Sequence, residues 1–202
     1  MKPVTRVSTL GMRLGVLSDL HARFDLLAEA LGVCRREAVD GLVVLGDLID
    51  RADQAEACVA ALRGWAVSGV AGNHEREVVE AWASGGGQLT TEARAFFRGL
   101  PVQVVVDDCC FCHTLPTGAQ PDPVVRFFAN RNGGAPRAPY RVVFVGDSHR
   151  RSAVDERGPL DLSAAELTID PDRRYVINPG PLAAGQFAIW DRAAGIVRFW
   201  SV

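Results

Sequence analysis

Apolar and polar positions along the chain fall into two regimes. The first half alternates short apolar runs with longer stretches of helical spacing. Residues 14–18 read as a buried strand. Residues 24–38 follow with Leu27, Ala30, Leu31 and Cys34 on one helical face. A second apolar run covers 42–45, and 54–63 reads as a helix with Ala57, Ala60 and Ala61 on one side. A weaker strand at 65–71 precedes helices at 75–84 and 91–98, which Gly85, Gly86 and Gly87 separate. Strand–helix–strand order with short connections predicts right-handed crossovers and a largely parallel sheet. The second half changes character. Runs at 102–106 and 109–113 flank Asp107-Asp108 and predict a hairpin. Short strands are predicted at 142–145, 175–177, 187–190 and 196–200, with a turn at 191–195 and one helix signal at 123–130. Together these elements predict an α/β fold: a four-layer α/β/β/α sandwich of two packed mixed sheets flanked by helices.

Bulk properties narrow the picture. A chain of 202 residues with 48% hydrophobic content suits one domain with a full core, read as 13–202 behind an N-terminal tail at 1–12. A net charge of -2 gives no electrostatic reason to expect nucleic-acid binding. No apolar run is long enough to cross a bilayer, and the N-terminus lacks a secretory apolar stretch. The five cysteines are odd in number, and Cys109 and Cys110 are adjacent, which fits a reducing cytoplasm better than a disulfide framework. The C-x-C of Cys110 and Cys112 lacks a second pair and reads as core thiols rather than a zinc site. Trp190, Phe199 and Trp200 on the last strands read as core.

Candidate chemistry sits where the strands end. All four histidines, His21, His74, His113 and His149, follow strand-like segments by a few residues at most. Asp19, Asp47, Asn73 and Asp147 accompany them. Imidazole and carboxylate donors in this number suit divalent metal ions. Asp19 with His21, and Asp147 with His149, are two apart and face the same way on extended backbone. Seven candidate ligands exceed one tetrahedral ion and suffice for two ions sharing a carboxylate, a known arrangement for phosphoester hydrolysis.

The ordered motifs DLH, GDLIDR, GNHE, a strand-end histidine and GDSH, with a late VINPGP, resemble the calcineurin-like metallophosphoesterase superfamily, in particular its small bacterial phosphodiesterase-type members. The resemblance spans residues 13 to about 200. It implies the two-sheet sandwich and assigns roles. Asp19, His21 and His149 would hold a first metal, Asp47 would bridge, and Asn73 and His113 would hold a second. His74 would contact the phosphate and protonate the leaving oxygen. Asp50 would orient its neighbours, and Arg51 would reach the phosphate. The expected cofactors are two divalent ions, Mn first, with Fe, Zn, Ni and Mg compatible. The expected partner is a small phosphorylated substrate.

Three departures bear on these roles. The family usually carries GHxH where this chain has Gly146-Asp147-Ser148-His149. Asp147 adds a negative charge and an oxygen donor, which shifts the second position towards harder ions. Direct ligation, ligation through a water and a damaged second site are all open at this point. Thr114 and Pro181 replace the usual Gly and Ser, both at the rim. An insert at 114–140 carries Arg126, Arg131 and Arg137 and reads equally as a cationic flap or a solvated excursion. The leading function is phosphodiester hydrolysis, the alternative being a phosphomonoesterase or dinucleoside polyphosphate hydrolase. A non-catalytic scaffold of the same fold is the reading from another class. Scaffold relatives have lost the histidine after the asparagine, and His74 is present here.

Overall fold

The computed structural model describes residues 4–6, 13–83, 90–115 and 140–202. The predicted glycine break at 85–87, the helix signal at 123–130 and nearly all of the 114–140 insert lie outside the described residues.

Two sheets stack face to face. One is built around three parallel strands, β2 (Arg13–Leu17), β3 (Gly41–Val44) and β4 (Val67–Gly69). Helices α1 (Phe24–Arg36) and α2 (Ala55–Leu62) make the crossovers. The C-terminal hairpin of β12 (Gln186–Asp191) and β13 (Ile196–Ser201) continues this sheet antiparallel to β2, and β10 (Glu166–Thr168) closes its edge. The other sheet has seven strands in the order β1 (Val4–Arg6), β5 (Gln103–Val106), β6 (Cys109–Cys112), β7 (Val142–Phe144), β11 (Tyr175–Asn178), β8 (Ser152–Asp155), β9 (Gly158–Pro159). Val4–Arg6 lie within the stretch expected as an N-terminal tail, and they pair in parallel with β5.

The apolar runs are continuous because both faces of each central strand are covered. On β2, Leu14 and Val16 face the other sheet, while Leu17 faces the helices. On β3, Val43 faces the sheet and Leu42 and Val44 face the helices. The inter-sheet layer is aromatic at its centre. Phe111 stacks on Phe144 at 5.4 Å, and Trp190 crosses from the opposite sheet to lie 5.1 Å from Phe144. Trp190 and Phe199 are core, as expected, and Trp200 is partly buried against the helix-side cluster.

Helices α1, α2, α3 (Asn73–Ala83) and α4 (Thr91–Gly99) contribute to one cluster on the outer face of the β2–β4 sheet. The buried side of α2 differs from the expected alanine stripe. Ala55, Cys58, Val59 and Leu62 face inward, and Ala57 and Ala60 are exposed. The larger apolar side chains win that face because each buries more area than a methyl group. On the seven-stranded sheet, Val105, Cys110, Cys112, Val143, Val145 and Val176 form a separate buried cluster on the outer face. All five cysteines are buried and free. Burial pushes the Cys34 and Cys58 thiols up to about 12, so they act as core side chains.

Four strands escaped the sequence reading: β1, β8, β9 and β10. All are short, and β8 to β10 are partly exposed and carry Ser, Asp, Gly, Pro, Glu and Thr among few apolar residues.

Candidate metal centre

Every candidate ligand sits on a loop that leaves the carboxyl end of a strand. Asp19 and His21 follow β2, Asp47 follows β3, and Asn73 and His74 open α3 just after β4. His113 follows β6, and Asp147 and His149 follow β7. Parallel strands deliver all their carboxyl ends to one edge, so five separate loops converge there. The turns are sharp. Asp19, His21, Asp47, Asp147 and His149 all adopt left-handed backbone, with φ between 45° and 69°. Asp and His tolerate this region better than most residues, at a cost of about 1–3 kcal/mol each.

Backbone hydrogen bonds lock the loops together. Asp19 N–H donates to Gly46 O at 3.1 Å, and His21 N–H to Asp47 O at 3.0 Å. Gly146 N–H donates to His113 O at 3.0 Å. Glu75 adds a second set. Its carboxylate is fully buried and accepts from Asp47, Leu48 and Ile49 N–H at 2.8, 2.6 and 3.3 Å, and from Gly72 N–H at 2.8 Å. Burial and the charge of Asp47 push the Glu75 carboxyl up, against the pull of these amides. The last bond is the backward half of a capping box, with Glu75 at the third helical position. The forward half comes from another loop: Asp47 Oδ1 accepts His74 N–H at 3.2 Å. Gly72 makes that possible, because a Cβ there would lie 2.0 Å from Asp47 Oδ1.

The VINPGP segment acts in the same way. Asn178 Nδ2 donates to Gly146 O at 2.9 Å and to Ser148 Oγ at 3.0 Å. Leu182 and Ala183 N–H donate to Ser18 O and Asp19 O at 2.7 and 3.0 Å. Gly146 lies against Ser18, where a Cβ would meet Oγ at 2.1 Å. Sequence reading did not assign Glu75, Ser18 or Asn178. A capping-box spacing in GNHE was the available signal for Glu75.

The side chains form two groups that share one carboxylate. Asp19, His21, Asp47 and His149 each offer a ligand atom, all within 4.8 Å of one another. His21 Nε2 and His149 Nε2 face each other at 3.1 Å, and His149 Nε2 lies 3.5 Å from Asp19 Oδ1. Around His113 Nε2 lie Asn73 Oδ1 at 3.1 Å, Asp47 Oδ2 at 3.3 Å and Asp147 Oδ1 at 3.6 Å. The outer nitrogens are held from behind. His113 Nδ1 is 2.8 Å from Leu45 O, so it donates there and leaves Nε2 free. Asp50 Oδ1 lies 2.6 Å from His21 Nδ1 and 3.1 Å from His74 Nδ1. His74 Nε2 is 4.0 Å from Asp47 Oδ2, with the ring about one-third exposed.

Burial lowers the basicity of His113, but its hydrogen bond to Asp47 and the charges of Asp47 and Asp19 outweigh that and raise its pKa to about 9. For Asp47, burial opposes ionisation, while His113 and His74 bring it net below the usual carboxylate range. The Arg51 guanidinium is exposed and paired with Asp53, with Nη2 3.0 Å from Oδ2.

These residues fit divalent ions. Asp19 and Asp47 are almost completely buried, and among the described residues no arginine or lysine pairs with either. Their basic partners are imidazoles, the same groups that ligate divalent ions, so an ion can take over the charge compensation that His113 otherwise gives Asp47. Two imidazole nitrogens 3.1 Å apart suit bonds of about 2.0–2.1 Å to a shared ion.

The model of the calcineurin-like phosphoesterase superfamily domain matches residues 12–193. The chain belongs to that superfamily. Among curated proteins, it is 40% identical over 70 residues to serine/threonine-protein phosphatase 1 of Salmonella typhimurium, a match covering 34% of this chain and 32% of that protein. The chain thus spans about a third of the length of that relative. It is 25% identical over 190 residues to an uncharacterized protein of Methanocaldococcus jannaschii, covering 83% of this chain and 74% of that one. Among solved structures, a metallophosphoesterase from Sphaerobacter thermophilus superposes with a TM-score of 0.69 at 24% identity, covering 94% of this phosphoesterase and 88% of that chain. A novel archaeal phosphodiesterase gives 0.54 at 16% identity, covering 94% and 99%. Both structures share the fold. Among the described residues no helix of this phosphoesterase is long and apolar enough to cross a membrane.

Proposed function

We propose that this phosphoesterase hydrolyses small phosphodiesters at a pair of divalent ions, with Mn the first candidate. One observation carries the dinuclear reading: Asp47 belongs both to the group of Asp19, His21 and His149 and to the group around His113. A shared carboxylate between two half-sites is what a bridged pair requires. Asp19, His21 and His149 would hold one ion, and Asn73, His113 and Asp147 the other. Ions held there would activate a water and neutralise charge on the phosphoryl oxygens.

The protein's own residues supply the rest. His74 stands beside the pair at the first turn of α3, where the helix N-terminus favours an anion. Asp50 Oδ1 lies 3.1 Å from His74 Nδ1, close enough to pair with the charged imidazole, and Nε2 lies on the side of Asp47. Nε2 can then pass its proton to the leaving oxygen. The archaeal phosphodiesterase that shares the fold supports a diester. The 70-residue likeness to a protein phosphatase supports the second reading, a phosphomonoesterase. Five unpaired thiols support a reducing compartment such as the cytoplasm.

The test is direct. Purified protein is assayed with Mn2+ on an aryl phosphodiester and the matching monoester, alongside its metal content. Faster diester turnover with two equivalents of bound metal is expected. Two equivalents with turnover of neither ester would favour the scaffold reading.

A further inference from the structure

The two halves of the centre are chemically unequal. Asp19, Asp47, His21 and His149 offer two oxygens and two nitrogens. The other half offers one nitrogen, His113 Nε2, with three oxygens from Asp47, Asn73 and Asp147 at 3.1–3.6 Å from it. Asp147 makes the difference. We infer that Asp147 turns this second half into a site for a hard, oxygen-preferring divalent ion of the Mn2+ or Mg2+ class, while the first half takes a borderline ion such as Zn2+. The inference rests on the dinuclear reading proposed above.

Three features carry it. Carboxylate and amide oxygens favour Mg2+ and Mn2+, whereas each added imidazole favours Zn2+. The Asp147 side chain is half exposed, while His113 and Asp47 are almost fully buried. The second half is therefore open to water on the Asp147 side, and hard six-coordinate ions keep several waters. Finally, Asp147 is held in place. Its N–H donates to Asp19 Oδ1 at 3.1 Å, and Gly146 lies against Ser18 where any larger residue would collide. The carboxylate therefore starts from a fixed backbone position beside His113.

Competition dialysis against equimolar Mn2+ and Zn2+, read by elemental analysis and by the electron paramagnetic resonance of bound Mn2+, tests this. Wild-type protein should bind two equivalents, one of them enriched in Mn. Asp147→His should move the Zn:Mn ratio of the Mn-enriched equivalent at least tenfold towards Zn and leave the other unmoved. Asp147→Asn, which keeps shape and loses charge, should weaken binding of that Mn2+ at least tenfold without the swing to Zn. Circular dichroism of both variants confirms folding. Two bound equivalents with a ratio moved less than twofold by Asp147→His would overturn the selectivity and leave the hydrolase reading standing. Fewer than two equivalents under saturating ion would overturn the dinuclear reading along with it.

Discussion

At the scale of single residues, the division of labour among histidines is set by what each outer nitrogen touches. His113 is anchored by a backbone carbonyl, and His21 by Asp50, so each has one nitrogen left for an ion. His74 shares Asp50 with His21, yet its Nε2 stands 4.0 Å from the nearest Asp47 oxygen. A ring set back from the shared carboxylate suits the proton transfer proposed above. His74→Ala should therefore retain the metal content and lower kcat by about 10²–10⁴-fold, the usual worth of a general acid. Elemental analysis beside steady-state kinetics separates the two effects, and loss of metal with activity would make His74 a ligand. Arg51, expected to reach the phosphate, carries an exposed ion pair with Asp53, and a pair so open to water is weak enough for a phosphate to compete with it.

At the scale of elements, the centre depends on how α3 begins. The helix starts at Asn73 and so carries both a ligand candidate and His74 in its first turn, two residues earlier than apolar spacing suggested. Its cap is assembled from two loops: Asp47 receives an amide of the helix, while Glu75 of the helix receives three amides of the Asp47 loop. Glu75→Gln leaves at least one buried amide without an acceptor, which costs about 1–3 kcal/mol. Urea unfolding should show a lower midpoint with an unchanged slope. Gly72→Ala should harm fold and site alike. Its Cβ would lie 2.0 Å from Asp47 Oδ1 and 2.6 Å from Asp47 N, so the urea midpoint and metal uptake should fall together. These supports were hard to read from sequence because they act through main-chain groups. The Asp and His at strand ends were legible because their type announces their chemistry. Likewise, strands buried on both faces were legible as apolar runs, while β8, β9 and β10 on the periphery carry no such pattern.

At the scale of the whole molecule, the sandwich and the centre pull in opposite directions. The inter-sheet layer around Phe111, Phe144 and Trp190 stabilises the stack that aligns the strand ends. At those ends the same fold holds Asp19, His21, Ala22, Asp47, Asp147 and His149 in left-handed backbone and buries Asp19 and Asp47 with no arginine or lysine partner among the described residues. Divalent ions at the proposed centre would relieve the second cost, because they would bind the assembled loops and not the unfolded chain. The stabilisation follows mass action: an ion at one hundred times its dissociation constant contributes about 2.7 kcal/mol per site. Added Mn2+ should thus raise Tm by several degrees for a domain of this size, and a chelator should reverse the gain. Asp47→Asn should abolish most of that increment, since its carboxylate serves both groups. Phe144→Ala should lower Tm, by about 3–5 kcal/mol of stability, yet keep the Mn2+ increment. Thermal unfolding of the three proteins with and without Mn2+ separates the two sources of stability. An increment that survives Asp47→Asn undiminished would mean that the ions bind elsewhere than at the shared carboxylate.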